Sequence, residues 1–355
     1  MHREVGEPVT SRTTDEALQR LLDEGRARAA ATGPDHARLW EALTAATQGG
    51  KRFRPALVTA THDALGGTST AAAVDVGAAV EMLHTAFVIH DDVIDGDDVR
   101  RGRLNVSGTF HVYALAAGGA PQGAGDFGRA AAILAGDLAL AAAIRAVAMC
   151  GARTEVVHAL LDLFDDALHT TASGELADVR LSLDLAPASL LDSVTMEEQK
   201  TSAYSFALPM QAGALLAGAD HTTVARLGEA GRMLGIAFQM VDDLIGVFGD
   251  PAETGKSATS DLRTRKQTPL LTHAKTTPEW ARIRAYVGRD LTDDELAEAR
   301  RLLTASGSRL FVEELADAHL SSARAVVEQL GISTDLLATV TMRPPALAGS
   351  KEVAA

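Results

Sequence analysis

Apolar residues recur three and four positions apart along almost the whole chain, so the pattern predicts helix after helix. Thr14 with Asp15 opens a first helix reaching about Ala31. Asp35 is placed to cap a second, and Pro55 suits the first turn of a third. Residues 71–95, AAAVDVGAAVEMLHTAFVIHDDVID, are apolar almost throughout until an acidic end, which predicts a central helix buried on most sides. Further helices are expected at about 128–150, 153–180, 190–218, 222–248, 292–305 and 308–330. No stretch alternates convincingly enough for a strand, and no solenoid period recurs. The expectation is an all-α, single-domain helical bundle over residues 14–342, with flexible ends at 1–13 and 343–355.

Composition supports that reading. The 355 residues are 46% hydrophobic but only 4% aromatic, and Ala and Leu are abundant, which favours closely packed helices over a β-sandwich. A net charge of −14 argues against a nucleic-acid surface and against docking on anionic lipid. An anionic substrate would therefore need locally clustered cations. Cys150 is the only cysteine, which excludes an intramolecular disulfide and a cysteine-based zinc site and fits a reducing cytoplasm. The N-terminal MHREVGEPVTSRT carries no apolar signal core, and no uninterrupted run reaches the roughly 18–20 apolar residues of a membrane span, so none is expected.

Two acidic segments end long apolar stretches: His90-Asp91-Asp92-Val93-Ile94-Asp95 and Phe238-Gln239-Met240-Val241-Asp242-Asp243. Positions i and i+4 share a helix face, so Asp91 and Asp95 point the same way, with Asp92 beside them. Carboxylates crowded onto one turn repel each other. Mg²⁺ relieves that repulsion and completes its octahedron with water and substrate phosphates. Two such faces set against each other would cage a diphosphate.

Basic residues cluster where an anion would need them. Gly49-Gly50-Lys51-Arg52-Phe53-Arg54-Pro55 puts Lys51 and Arg54 at a helix start, where free N–H groups also favour anions. Taken alone it reads as a charged helix entry. Arg100 and Arg101 follow Asp95 closely, and arginine binds phosphate oxygens bidentately; alone, the pair would merely complement a helix dipole. Lys200, Lys256 and Lys266 add single cations. His84 lies two turns before Asp91 on the same face; on an apolar helix it reads first as a core residue, and beside a phosphate site as a ligand. Two motifs are decoys. Residues 123–128, GAGDFG, match G-x-G-x-x-G but sit in an expected Gly/Ala/Pro-rich loop, 116–128, without a βαβ unit. Asp91–Gly102 fails as a calcium loop, since Val93 and Gly102 stand where ligands belong.

In series, GGKRFRP, EMLHTAFVIHDDVIDGDDVRRG, AILAGD, Lys200-Thr201, FQMVDDLIGVFGD and TGKSATSDLRTRKQTP resemble the trans-isoprenyl diphosphate synthase (polyprenyl synthetase) family, most closely its bacterial geranylgeranyl and farnesyl diphosphate synthases. The likeness spans about residues 45–275. It implies the isoprenoid synthase fold around an apolar substrate cavity, and a homodimer. It also implies Mg²⁺-assisted condensation of isopentenyl diphosphate with dimethylallyl, geranyl or farnesyl diphosphate. Asp91 and Asp95, with Asp92, would hold two Mg²⁺, and Asp242, supported by Asp243, a third. Arg100, Lys200 and Lys256 would contact the allylic diphosphate. Lys51, Arg54, His84 and Arg101 would bind isopentenyl diphosphate. Gln239 and backbone carbonyls near Lys200 and Thr201 would face the developing cation, and Lys266 would belong to a closing segment.

The chain departs from the family pattern at Gly246, where a third Asp usually stands, and at Glu175, often Gln. A class I terpene cyclase and a non-catalytic partner subunit are the rival readings; the first needs no second diphosphate site, and the second typically has degraded ligands. Phe87, four residues before Asp91 and about 6 Å deeper at ~1.5 Å per residue, is placed as a floor for the growing chain, with small Ala86 beside it. That pair suggests fifteen or twenty carbons, with geranylgeranyl diphosphate favoured.

Overall fold

The computed structural model describes residues 13–183, 188–249 and 260–340. Apart from one short hairpin, the regular elements among them are helical. The described residues divide into two compact units, those of 13–162 with 212–219 and those between 163 and 211 and between 220 and 340.

In the first unit, α1 (Thr14–Thr32) and α2 (Pro34–Ala46) pack on each other, and α1 also packs on α4 (Thr70–Asp95), as does α3 (Phe53–Ala64). The cap of α1 is Thr13, which forms a reciprocal capping box with Glu16, one residue earlier than expected. Asp35 does not cap α2. Gly33 occupies the cap position without a side-chain bond, Pro34 takes the first helical place, and Asp35 sits in the first turn, where its charge complements the dipole. α4 is the central helix foreseen, with Val76, Ala79, Val80, Met82, Leu83 and Ala86 all inaccessible to solvent.

After α4 the chain makes a two-residue hairpin, β1 (Val99–Arg100) against β2 (Arg103–Leu104), then α5 (Val106–Ala116) and α6 (Pro121–Ala148). Three expectations fail here. A strand pair exists, α5 was unforeseen, and the supposed loop 116–128 is helical from Pro121 onward. Pro121 starts α6 because its missing N–H is unneeded there. Ala132, Ala135, Ala139 and Ala143 make a fully buried small-residue stripe on α6, and α6 packs on both α4 and α5. Among the described residues, α4 and α6 are by length and mean hydropathy apolar enough to cross a membrane, although charged residues interrupt both. In α4, 78% of the apolar window is buried inside the protein, as in a core helix; in α6 the share is 44%.

α7 (Thr154–Ser182) is followed by the stretch expected as one helix over 190–218. It is instead α8 (Leu190–Glu197), a π-helical segment (Glu198–Ala207) and α9 (Leu208–Ala217). Wide π turns recur at functional positions, and this one carries Lys200 and Thr201. In the second unit α10 (His221–Phe248) lies on the π segment through Gly231 and Gly235: a Cβ at Gly231 would stand 2.6 Å from the Cα of Ala207, and one at Gly235 2.5 Å from the Cβ of Ser202. The remaining elements are α11 (Ser260–Arg263), α12 (Pro269–Ala274), α13 (Trp280–Ile283) with a 3₁₀ turn (Arg284–Tyr286), α14 (Asp293–Ala305), α15 (Ser308–Gln329) and α16 (Asp335–Ala338). α15 packs on α10. Leu244, Leu262, Leu270, Leu303 and Val312 form part of this unit's core.

Candidate active site

In the first unit the two arginines diverge. The hairpin turn places Arg101 at φ 52° and Gly102 at φ 72°, the paired positive values of the tight turn that suits strand twist. Arg100, on the strand, donates from Nε to Asp92 Oδ1 at 2.6 Å and from Nη2 to Asp91 Oδ2 at 3.0 Å. Arg101, on the turn, donates from Nη1 to the Gln48 carbonyl at 3.2 Å. Its guanidinium lies over Gly49 and Gly50, where side chains would meet it. Arg100, Arg101, Gln48, His84, Asp92 and Asn105 are among the residues lining a cavity of about 350 Å³. Burial holds the His84 imidazole well below its usual range, and Arg54, Arg101, Arg100 and Arg52 push it further down, so the ring is neutral at physiological pH.

Asp91 is half-buried, Asp95 exposed and Asp92 only 4% exposed. Burial raises the Asp92 pKa, with the Arg100 charge opposing. Lys51 is exposed and Arg54 half-buried; neither lines the cavity, although Arg54 acts on His84 through its charge. Arg52, to which no role was assigned, donates to buried Glu81 at 2.5 Å and to the Thr47 carbonyl at 2.6 Å. It fixes the Gly49–Arg54 turn to α4 one helical turn before His84. Ala86 is fully buried and Phe87 half-buried.

In the second unit, Gly174 lets the Gln199–Lys200 backbone approach α7, since a Cβ there would stand 2.2 Å from the Lys200 nitrogen. Lys200 Nζ reaches Asp178 at 2.7 Å and Glu175 at 3.0 Å, so Glu175, read as a departure, serves as an acidic partner. Gln239 lies three residues before Asp242 on α10; both are half-buried, as is Thr201. Asp243 is 1% exposed, with Lys266 at 3.6 Å. Lys256 lies outside the described residues. Sequence reasoning missed Glu197, which is buried beside Asp243; an acidic residue in the apolar pattern just before Lys200 was the available signal.

Among the described residues no group of three or more His, Cys, Asp or Glu side chains is gathered as a ready-made metal cage. Mg²⁺ does not require one, since it is usually held by one or two carboxylates plus water and substrate phosphate. The donors fit that mode. Asp91 and Asp95 share a face at the end of α4, and on α10 half-buried Asp242 stands next to Asp243, which is buried beside Glu197 and Lys266.

Burial pushes Asp243 up to about 6, with Lys266 opposing, and drives Glu197 well above the carboxylate range, the Asp243 charge adding to the effect. Both folded values exceed the unfolded ones. The unfolded state therefore binds fewer protons above about pH 4, and stability falls as pH rises through the folded values. Urea unfolding without divalent cations is expected to show lower stability at pH 8 than at pH 5. Glu197→Gln is expected to shrink that difference, by about 1.4 kcal/mol per pKa unit removed. An undiminished difference in the variant would show that Glu197 does not titrate there.

Helices of this order, with an acidic α4 end and an arginine hairpin, define an isoprenoid-synthase-type protein. The polyprenyl synthetase family model matches residues 36–303, and the chain belongs to that family of prenyltransferases. It is 36% identical to the geranylgeranyl diphosphate synthase of Sulfolobus acidocaldarius over 63% of each chain, so the matched region spans just under two thirds of that relative. It is 33% identical to the geranylfarnesyl diphosphate synthase of Aeropyrum pernix, covering 79% of this chain and 84% of that one. A geranylgeranyl pyrophosphate synthase from Corynebacterium glutamicum, solved with isoprenyl diphosphate and magnesium, shares its fold at TM-score 0.82 and 30% identity over 92% and 94% of the two chains.

Proposed function

We propose that the protein condenses isopentenyl diphosphate with an allylic diphosphate and releases geranylgeranyl diphosphate. The observation that carries this reading is the cavity beside α4 lined by Arg101, neutral His84 and Arg100, in which Arg100 is also bonded to the acidic end of α4 while Arg101 is held at the Gln48 carbonyl. A cyclase would have no use for such a second anion site. Lys51, Arg54, His84 and Arg101 hold isopentenyl diphosphate, with His84 contributing an uncharged N–H. Asp91, Asp95 and Asp92 hold two Mg²⁺, and Asp242 with Asp243 a third. Mg²⁺, when bound, neutralises the diphosphate as it leaves. Arg100, Lys200 and Lys256 supply fixed positive charge to the same allylic group, Lys266 belongs to the segment that closes over it, and Gln239 with the Thr201 region faces the cation that remains. No protein nucleophile is needed.

Product length rests on Phe87. Incubation with isopentenyl diphosphate and dimethylallyl, geranyl or farnesyl diphosphate is expected to give a twenty-carbon product. Phe87→Ala is expected to shift products toward longer chains. An unchanged distribution in the folded variant would assign the floor to deeper residues such as Leu83 or Val80.

The protein works as a homodimer in this reading, in the cytoplasm and without a membrane span. α5 and α6 pack on each other yet leave Val112, Tyr113, Leu115, Ile133, Leu134 and Ile144 exposed. Apolar exposure of this kind marks an interface, and a second copy offers the matching surface. Light scattering at micromolar concentration without detergent is expected to give twice the chain mass. A monomer mass refutes the dimer, and sedimentation with lipid vesicles would refute the absence of a membrane span.

A further inference from the structure

Two guanidiniums from distant segments meet the C-terminal end of α2, whose last carbonyls the helix itself cannot partner. Arg52 Nη2 donates to the carbonyl of Thr47, the capping residue, at 2.6 Å, and Arg101 Nη1 donates to the Gln48 carbonyl at 3.2 Å. Cations at this end of a helix also complement its dipole. Arg52 is tied further. Its Nη1 donates to Glu81 of α4 at 2.5 Å, and its Nε stands 3.4 Å from Asp15 in the first turn of α1. One side chain thus joins α1, α2 and α4. It does so from a backbone at φ 50°, a left-handed conformation that persists only where surrounding contacts over-determine it. Gly49 and Gly50, at φ 81° and 85°, complete the turn, and a Cβ at Gly49 would stand 3.2 Å from Nη1 of Arg101.

We propose that Arg52 is a positioning residue for the second anion site: by holding the end of α2 to Glu81, it sets where the Arg101 guanidinium stands relative to His84. The inference rests on the reading of Arg101 and His84 as ligands of isopentenyl diphosphate.

Glu81 gives the link a fixed origin. It is buried on α4 three residues before His84, a neighbour on the same face, and both line the cavity. Arg52 does not line that cavity, so its effect on a ligand there passes through the turn. Arg101 is exposed and depends on that turn, since the Gln48 carbonyl takes one of its donors and thereby orients the others. Bidentate recognition of a phosphate needs orientation as well as charge. A displaced Gln48 carbonyl would therefore weaken the isopentenyl diphosphate side alone. Arg100 is held independently, by Asp91 and Asp92.

Steady-state kinetics of the full chain with isopentenyl and geranyl diphosphates, beside melting curves, test this through a double-substitution cycle. Arg52→Gln is expected to raise the KM for isopentenyl diphosphate by roughly 10-fold, since misplacing a binding group can cost up to about 10²-fold, with the allylic KM little changed. Arg52→Lys keeps the charge but not the fork that spans Glu81 and Thr47, and is expected to recover part of the loss. Glu81→Gln, nearly isosteric, is expected to act in the same direction as Arg52→Gln. Residues that act through one another are not additive. Arg52→Gln combined with Arg101→Lys is therefore expected to show the KM of Arg101→Lys alone; should Arg52→Gln not fold, the same cycle is run with Arg52→Lys. A double variant whose KM is the product of the two single effects overturns the inference and leaves the second anion site standing. So does a loss that falls on both substrates and on kcat alike, in step with the melting temperature, which is the pattern of a residue that only supports the fold. An unchanged isopentenyl diphosphate KM in Arg101→Lys overturns both.

Discussion

Asp91→Ala and Asp95→Ala are each expected to lower turnover by about 10²–10³-fold, the loss typical of removing one preorganised charge-stabilising group, while leaving the fold intact. Asp95 is exposed and Asp91 half-buried, so neither supports the core. Asp92 differs. It is buried and receives the Arg100 guanidinium at 2.6 Å, while Arg100 is 38% exposed and keeps Asp91, so losing this charge-assisted bond typically costs about 1.5–3 kcal/mol. Asp92→Ala should therefore lose activity and thermal stability together. Steady-state assays beside melting curves separate the two patterns. Excess chelator is expected to abolish turnover in the wild type. Activity undiminished in chelator, or a normal rate in Asp91→Ala, would sink the metal-assisted reading.

The acidic ends were legible because their signal is local. Carboxylates at i and i+4 after a long apolar run define one helical face whatever else the chain does. The basic motifs were legible only as a series, since each alone resembled an ordinary charged helix end. What escaped the sequence depends on contacts between distant segments. Nothing near Arg52 says that it reaches Glu81, 29 residues on, and nothing near Gly246 says that the Asp261 carboxylate lies against it. α5, VSGTFHVYALA, is apolar on nearly every side and rich in weak helix formers, so it shows no 3.6-residue period. The start of α6 was hidden by Gly123, Gly125 and Gly128, which read as loop although Gly128 is glycine for closeness: a Cβ there would lie 2.6 Å from the Ser107 carbonyl. Strands of two residues cannot display alternation, so the hairpin that parts Arg100 from Arg101 was invisible.

That hairpin yields the second large effect. Arg101→Lys is expected to raise the KM for isopentenyl diphosphate by about 10–100-fold, because lysine cannot reproduce a bidentate fork and a charge-assisted hydrogen bond contributes about 1.5–3 kcal/mol. The allylic KM should move only a few-fold. Arg100→Lys should do the reverse and also lower the melting temperature, since Arg100 is tied to buried Asp92. Lys51→Ala should follow Arg101→Lys in direction but less strongly, because Lys51 is exposed and does not line the cavity that holds His84 and Arg101. The positive φ of Arg101 sharpens the test: a glycine there would relax the turn but remove the charge, whereas lysine keeps the charge and the turn strain. A KM effect present in Arg101→Lys therefore reports the guanidinium itself. Equal effects of the Arg100 and Arg101 substitutions on both substrates would show that the two arginines serve one anion, and the division of labour between strand and turn would have to be abandoned.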